Sequence, residues 1–192
     1  MTDDPPFERV TWPVRTDRLV LRPAETADLP AVFGYRSRED VAQWMPGRPT
    51  AYDDWLLLMD LEVMRRTLVV ELDGAVVGDL YLHVEDGWAQ HEVREAARRS
   101  VAEIGWCLDS RHQGRGLVTE AATELVRICF EDLALRRLTA EAFADNAPSL
   151  RVMDKLGMRR EALHRQESLH RDQGWVDSVV YALLADEWRA AR

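Results

Sequence analysis

The run Arg111-His112-Gln113-Gly114-Arg115-Gly116-Leu117 constrains this chain more than any other stretch. It joins a strand-like apolar segment, Val101 to Leu108, to a helix-like one, Leu117 to Leu133. Two glycines separated by one residue let the backbone turn tightly and approach a ligand without an intervening Cβ. The helix behind them directs unpaired N–H groups and the positive end of its dipole at the loop. Strand, glycine turn and helix together make an anion cradle, with a pyrophosphate as the expected occupant. A P-loop would end in Gly-Lys-Ser/Thr and a dinucleotide fingerprint would carry a third glycine; neither is present. A Gly-x-Gly alone is also what an ordinary strand-to-helix turn carries, so the surrounding chain has to decide.

That surrounding chain alternates strand and helix patterns. Arg18 to Arg22 alternates polar and apolar residues and reads as a strand stopped by Pro23. Thr26 is an N-cap candidate for a helix from Ala27 to Arg36, and Val41, Trp44 and Met45 mark a short second helix ended before Pro46. Asp53 to Arg66 reads as one helix. Thr67 to Leu72 and Ala75 to Val84 form a hairpin around Asp73-Gly74. Glu85 to Ser100 is charged, and reads either as a solvated loop or as a lip over a substrate. After the cradle helix, with Val118, Ala121, Leu125, Cys129 and Leu133 on one face, come a strand from Arg137 to Phe143 and a helix from Ala147 to Leu156. Pro148 suits that helix's first turn, and Gly157 the left-handed residue that ends it. Two more strands, Arg159 to His170 and Gly174 to Leu184, close the chain.

Composition removes several function classes. A net charge of −9 argues against non-specific nucleic-acid binding and suits a cationic partner. No apolar run has the length of a membrane span, and the acidic, proline-bearing start is unlike a secretory signal, so a cytoplasmic location is expected. The two cysteines, Cys107 and Cys129, read as buried apolar residues in a reducing compartment. The five histidines show no ligand spacing, so no metal site is expected.

The motif Arg111-x-x-Gly114-x-Gly116 resembles the Arg/Gln-x-x-Gly-x-Gly/Ala loop of the GCN5-related N-acetyltransferases, the GNAT family. Ala102-Glu103-Ile104-Gly105-Trp106-Cys107-Leu108 resembles that family's fourth strand, and Asn146-Ala147-Pro148-Ser149 with Val152-Met153-Asp154-Lys155-Leu156-Gly157-Met158 its downstream Asn-x-x-Ser…Lys-x-Gly element. The opening Arg18-Leu19-Val20-Leu21-Arg22-Pro23 is similar to that of the ribosomal-protein N-terminal acetyltransferases, the Rim-type branch. The implied fold is α/β (α+β): a central mixed, mostly antiparallel, seven-stranded sheet, splayed between its fourth and fifth strands and flanked by helices. Residues 1–192 are expected as one domain, with 1–12 flexible. The branch also implies a homodimer, an expectation that no residue pattern here carries.

The resemblance implies an acetyl-CoA-dependent N-acetyltransferase acting on a primary amine, such as a protein or peptide N-terminal α-amine, by direct transfer in a ternary complex. Aminoglycosides, polyamines and amino acids are the alternative acceptors, and a non-catalytic acyl-CoA-binding module is a further alternative. Acetyl-CoA is the implied cosubstrate, without a metal. Trp106, Cys107 and Leu108 would meet its pantetheine arm, Arg111, His112, Gln113, Gly114, Arg115, Gly116 and Leu117 its pyrophosphate, and Asn146 the arm again; Asn146 also suits a helix N-cap. Glu103 is the candidate general base, because a carboxylate near the centre of a sheet is costly unless it meets water or a partner; a structural salt bridge is the other reading. Many family members place a tyrosine seven residues after the Asn as general acid, but that place here is Met153, which cannot donate a proton. Ser149 matches the Rim-type serine and is the candidate acid, or simply a first-turn helix residue. Trp44, Trp55, Trp88 and Trp175 fall on segments that line the family's acceptor side, and Glu141 and Asp145 are positioned to attract an amine.

Overall fold

Alternation in the strands and two apolar helix faces organise a sheet covered on both sides. The computed structural model describes residues 6–59 and 61–192. In chain order the strands are β1 (Val14–Arg15), β2 (Leu19–Pro23), β3 (Thr67–Leu72), β4 (Ala75–Glu85), β5 (Val101–Leu108), β6 (Arg137–Phe143), β7 (Arg159–His170) and β8 (Gly174–Leu184). The helices are α1 (Leu29–Arg36), α2 (Glu39–Ala42), α3 (Tyr52–Leu56), α4 (Leu61–Arg65), α5 (Leu117–Arg127), α6 (Ala147–Lys155) and α7 (Ala185–Ala190). The strands form one mixed sheet in the order β1-β2-β3-β4-β5-β6-β8-β7. It has eight strands rather than the expected seven, because the two residues of β1 pair with Leu21 and Val20 of β2.

Each side of the sheet buries its own cluster. Leu21, Leu68, Leu80, Leu82, Ile104 and Leu138 point to the side covered by α5, where Leu117, Ala121 and Leu125 are fully buried. Val69 and Cys107 point the other way and pack with Leu29, Val32, Tyr35, Val41 and Trp55 from α1 to α3. The β3–β4 hairpin turns on Asp73 at φ 52° and Gly74 at φ 79°, the doubly positive pair that two-residue hairpins favour.

Several local expectations give way to packing. Thr26–Asp28 is a separate 3-10 turn, with the Asp28 carboxylate accepting the Glu25 N–H at 2.8 Å, so Thr26 is not the cap of α1. The helix expected over Asp53 to Arg66 is two short pieces, α3 and α4; Trp55 is buried while Leu57 and Leu58 are 81% and 67% exposed, so this apolar run offers no continuous stripe. The cradle helix is α-helical to Arg127 and closes with a π turn over Ile128–Asp132, which keeps Cys129 and Phe130 buried. The 85–100 segment carries an exposed 3-10 stretch, His91–Ala97. Of the start read as flexible, residues 1–5 lie outside the described residues. Phe7 and Val10 are buried, and the Trp12 indole donates to the Phe7 carbonyl at 3.0 Å, so the chain is anchored from Phe7 onward.

The feature that positions a site is the junction of β5 and β6, the sheet's parallel pair. They pair at Val101↔Arg137, Ala102↔Leu138 and Glu103↔Thr139, and the ladder stops there. Beyond it, residues 104–108 remain paired to β4 alone and residues 140–143 to β8 alone. The sheet is therefore splayed where the family resemblance implies it. Gly78 keeps the β4 side tight: a Cβ there would lie 2.5 Å from the Cys107 carbonyl oxygen and 3.1 Å from Leu108 Cδ1. Gly78→Ala is expected to force the end of β5 to move and to destabilise the fold by about 1–3 kcal/mol, read as a lowered midpoint in thermal unfolding.

Candidate active site

The cradle is built on a buried carboxylate. Asp109, directly after β5, donates its own N–H to the Val77 carbonyl at 2.8 Å and accepts the Arg111 N–H at 3.0 Å. Its carboxylate also holds the Arg111 guanidinium, Nη2 to Oδ2 at 2.5 Å. Burial works to raise the Asp109 carboxyl, but the hydrogen bonds from Arg111 outweigh it and hold the group below the usual carboxylate range. The Arg111 side chain is thus tied to the turn. Arg115 lies against His112 Nδ1 at 3.3 Å.

Gly114 and Gly116 follow at φ 75° and 77°, in the left-handed region that costs an L side chain roughly 1–2 kcal/mol. A Cβ on Gly114 would meet nothing within 4 Å, so that backbone is open to a ligand. The N–H groups of Arg111, His112 and Gln113 are committed to the turn, whereas the first helical bond runs from Glu120 N–H to the Gly116 carbonyl. The donors left for an anion are therefore those from Gly114 into the first turn of α5. This backbone fits a pyrophosphate.

A contact from the other end of the chain fixes this loop. Arg18 donates from Nη1 to the Arg115 carbonyl at 3.0 Å and pairs through Nη2 with Glu120 Oε2 at 2.6 Å. Its backbone N–H reaches Glu120 Oε1 at 3.0 Å, an oxygen that also accepts from the Thr16 hydroxyl. Partial burial tends to raise the Glu120 carboxyl, and the bonds from Thr16 and Arg18 bring it below its ordinary value. In sequence, Arg18 is only the first residue of a strand and Glu120 an acidic residue in a helix's first turn; the one available signal is that preference of helix N-termini for acids. Arg18→Ala is expected to weaken coenzyme A binding about three- to tenfold, measured by isothermal titration.

Glu103 is the last β5 residue paired with β6. It shares a face with Gly105 and Cys107, and its antiparallel neighbour on β4 is His83. The residue is exposed, yet enough protein surrounds the carboxyl that dehydration raises its pKa, and the Glu141 carboxylate raises it further. His83 acts weakly in the opposite sense and is itself paired with Glu85 at 2.9 Å. The Cys107 thiol points into the second cluster, where burial and then the Asp79 charge push its pKa far up, so it is inert.

Because β5 and β6 are parallel, their C-terminal ends lie at one edge of the sheet, and the turn after β6 flanks the same opening as the cradle. Asn146 is buried there and caps α6, its Oδ1 accepting the Ser149 N–H at 3.3 Å. Its Nδ2 and the Ser149 hydroxyl have no partner among the described residues. Met153 is 1% exposed and packs in the main cluster.

The tryptophans divide. Trp55 is core, while Trp88 and Trp175 are 94% and 61% exposed. Trp44 packs with Phe143 and His170, ring centroids 6.4 and 6.0 Å away. His170 donates from Nε2 to the Gln43 carbonyl at 2.9 Å and accepts the Asp172 N–H on Nδ1 at 3.2 Å. Arg171 donates to the Ala42 and Met45 carbonyls at 2.8 and 2.7 Å, strapping the β7–β8 tip onto the turn after α2.

The family model described as an acetyltransferase (GNAT) domain matches residues 18–159, the span from the Arg18 clamp through the cradle and α6 to the start of β7. The chain belongs to the GNAT family. The uncharacterized N-acetyltransferase YnaD of Bacillus subtilis is 30% identical over 176 residues, covering 91% of this chain and 98% of that protein. The L-amino acid N-acetyltransferase AaaT of Escherichia coli is 30% identical over 166 residues, covering 85% and 96%. Mycobacterium smegmatis RimJ in complex with CoA-disulfide shares the fold with a TM-score of 0.70, at 24% identity over 90% of this chain and 88% of that one. The enzyme is an acetyl-CoA-dependent acyltransferase of Rim-type resemblance, and among the described residues no helix is long and apolar enough to cross a membrane.

Proposed function

We propose that the enzyme moves the acetyl group of acetyl-CoA directly onto a primary amine in a ternary complex, and that this amine is the N-terminal α-amine of a protein or peptide. The observation that carries the reading is the position of Glu103, a carboxylate of raised pKa at the point where β5 and β6 part. Bound acetyl-CoA supplies the electrophilic thioester. The backbone from Gly114 to the first turn of α5 would hold its pyrophosphate, the β5 edge from Trp106 to Leu108 its pantetheine arm, and Asn146 Nδ2 an amide of that arm.

Glu103 takes a proton from the acceptor's ammonium through water, leaving the neutral amine to attack. Its raised pKa brings it closer to the amine's own, which favours general-base catalysis at neutral pH. The Ser149 hydroxyl, free of protein partners among the described residues, donates toward the departing thiolate; Met153 has no proton to give and no access. On the acceptor side Glu85, Glu103, Glu141 and Glu167 are all exposed, an open acidic surface that suits the end of a long chain.

The similarity to AaaT favours a second reading, a small-molecule acceptor. Acetyl transfer from acetyl-CoA to a mixed panel of peptides, amino acids, polyamines and aminoglycosides, detected by mass, separates the two. A modified peptide α-amine supports the first reading, and a panel in which only a free metabolite is modified replaces it. We read residues 1–192 as one cytoplasmic domain, supported by two buried, unpaired thiols; the homodimer rests on the branch resemblance alone.

A further inference from the structure

Four of the eight acidic side chains on the described strands are matched by arginines. Glu71 pairs with Arg22, Asp79 with Arg36, Glu161 with Arg137 and Arg159, and Asp177 with Arg165. Glu85 pairs with His83 and Glu167 with two serine hydroxyls, which leaves two facing carboxylates, Glu103 and Glu141. Glu103 sits opposite Thr139, and Glu141, two residues further along β6, shares that face across the opening. Neither is hydrogen-bonded or ion-paired among the described residues, in a chain with 24 arginines. Beside Glu141, the ligand atoms of Glu141, His164 and Glu167 all lie within 4.8 Å of one another. Glu167 is oriented by the Ser168 and Ser178 hydroxyls at 2.9 and 3.1 Å. Two carboxylates this close, offset by His164 rather than by an arginine, repel each other in the free enzyme, and an arriving cation relieves them.

We propose that Glu141 is a positioning residue of the acetyl transfer: with Glu103 it seats the acceptor's ammonium, and it thereby selects amines that carry no neighbouring carboxylate. This rests on the reading of Glu103 as general base. The same negative field that draws in an ammonium repels the carboxylate of a free amino acid, whereas a peptide N-terminus carries an amide at that place. The other groups facing Glu103 are His83, Glu85 and Tyr81 from β4, and Thr139 from β6. Those facing Glu141 are His164 and Glu167 from β7.

Glutamates labelled with 13C at the side-chain carboxyl let Glu103 be followed by NMR, its signal assigned by its loss in Glu103→Gln. Alaninamide and alanine are the two probes. Alaninamide is expected to perturb the Glu103 signal at about tenfold lower concentration than alanine. In Glu141→Gln that preference collapses and the Glu103 titration midpoint falls by on the order of half a pH unit or more; Glu141→Asp keeps both. Equal responses to the two probes in the native enzyme, or a Glu141→Gln variant that changes neither quantity, overturn the proposal. The general-base reading is tested separately by the rate of Glu103→Gln, so its failure and that of the Glu141 assignment are distinguishable.

Discussion

Glu103→Gln lowers kcat/KM for the acceptor by roughly 10²-fold or more and removes the acidic limb of its pH profile. The native enzyme is active with Glu103 ionised, so its rate rises with pH through a carboxyl pKa that dehydration and Glu141 have raised. The amide cannot take the proton, and the rise disappears. The same substitution leaves the fold at least as stable. A carboxyl whose folded pKa is raised disfavours the folded state once ionised, an effect absent below the unfolded-state pKa and complete above the folded one. At neutral pH the glutamine relieves it, and the variant melts at or above the native temperature. A variant with native pH dependence, or one that melts early and regains its rate on cooling, removes Glu103 from the chemistry.

Asp79→Ala destabilises the protein by about 3–5 kcal/mol, because it strands a buried counter-charge. Asp79 is 1% exposed on β4, opposite Cys107. It accepts from the Tyr35 hydroxyl at 2.5 Å and from Arg36 Nε at 3.1 Å, with a second Arg36 nitrogen bound to its other oxygen. Burial raises the Tyr35 pKa and the Asp79 charge adds to it, so the phenol stays a donor. Burial alone would lower that of Arg36, and Asp79 more than reverses this. This triad fastens α1 to the sheet two residues along β4 from Tyr81. The loss should appear as a fall in melting temperature on the order of 10 °C. Replacing Asp79, Arg36 and Tyr35 together by apolar residues of similar volume should recover much of it, since no charge is then left unpaired. A single substitution that melts like the native protein rules out the triad as an anchor.

The part of the fold set by local chemistry was readable in the chain. Positive φ at Gly114 and Gly116, the Asp73-Gly74 hairpin, and the alternation that sends Ile104 and Cys107 to opposite clusters all follow from residue type and spacing. What was hidden depends on partners far apart in sequence. Arg18 and Glu120 are 102 residues apart, and Asp79 meets Arg36 across 43; each is merely a charge on an element until the topology closes. The break between α3 and α4 was hidden for another reason. The run from Asp53 to Arg66 is rich in helix-forming residues, but Leu57 and Leu58 face out, Leu56, Met59 and Met64 only flank the core, and Trp55 is the residue that enters it. Propensity without a buried stripe does not sustain a long helix.

The strap between the β7–β8 tip and the turn after α2 carries a mechanical consequence. Its hydrogen bonds from His170 and Arg171 land on main-chain carbonyls of residues 42, 43 and 45, and so do not depend on which side chains stand there. Two segments that enter the fold more than 120 residues apart are thereby joined like the plates of a hinge pinned shut. On the reading by which the family resemblance puts the acceptor side at Trp44, a bulky acceptor cannot push one plate aside and leave the other in place. Size tolerance on this side is a property of the pair, and substitutions that widen it belong at the pin as much as at the aromatic rings.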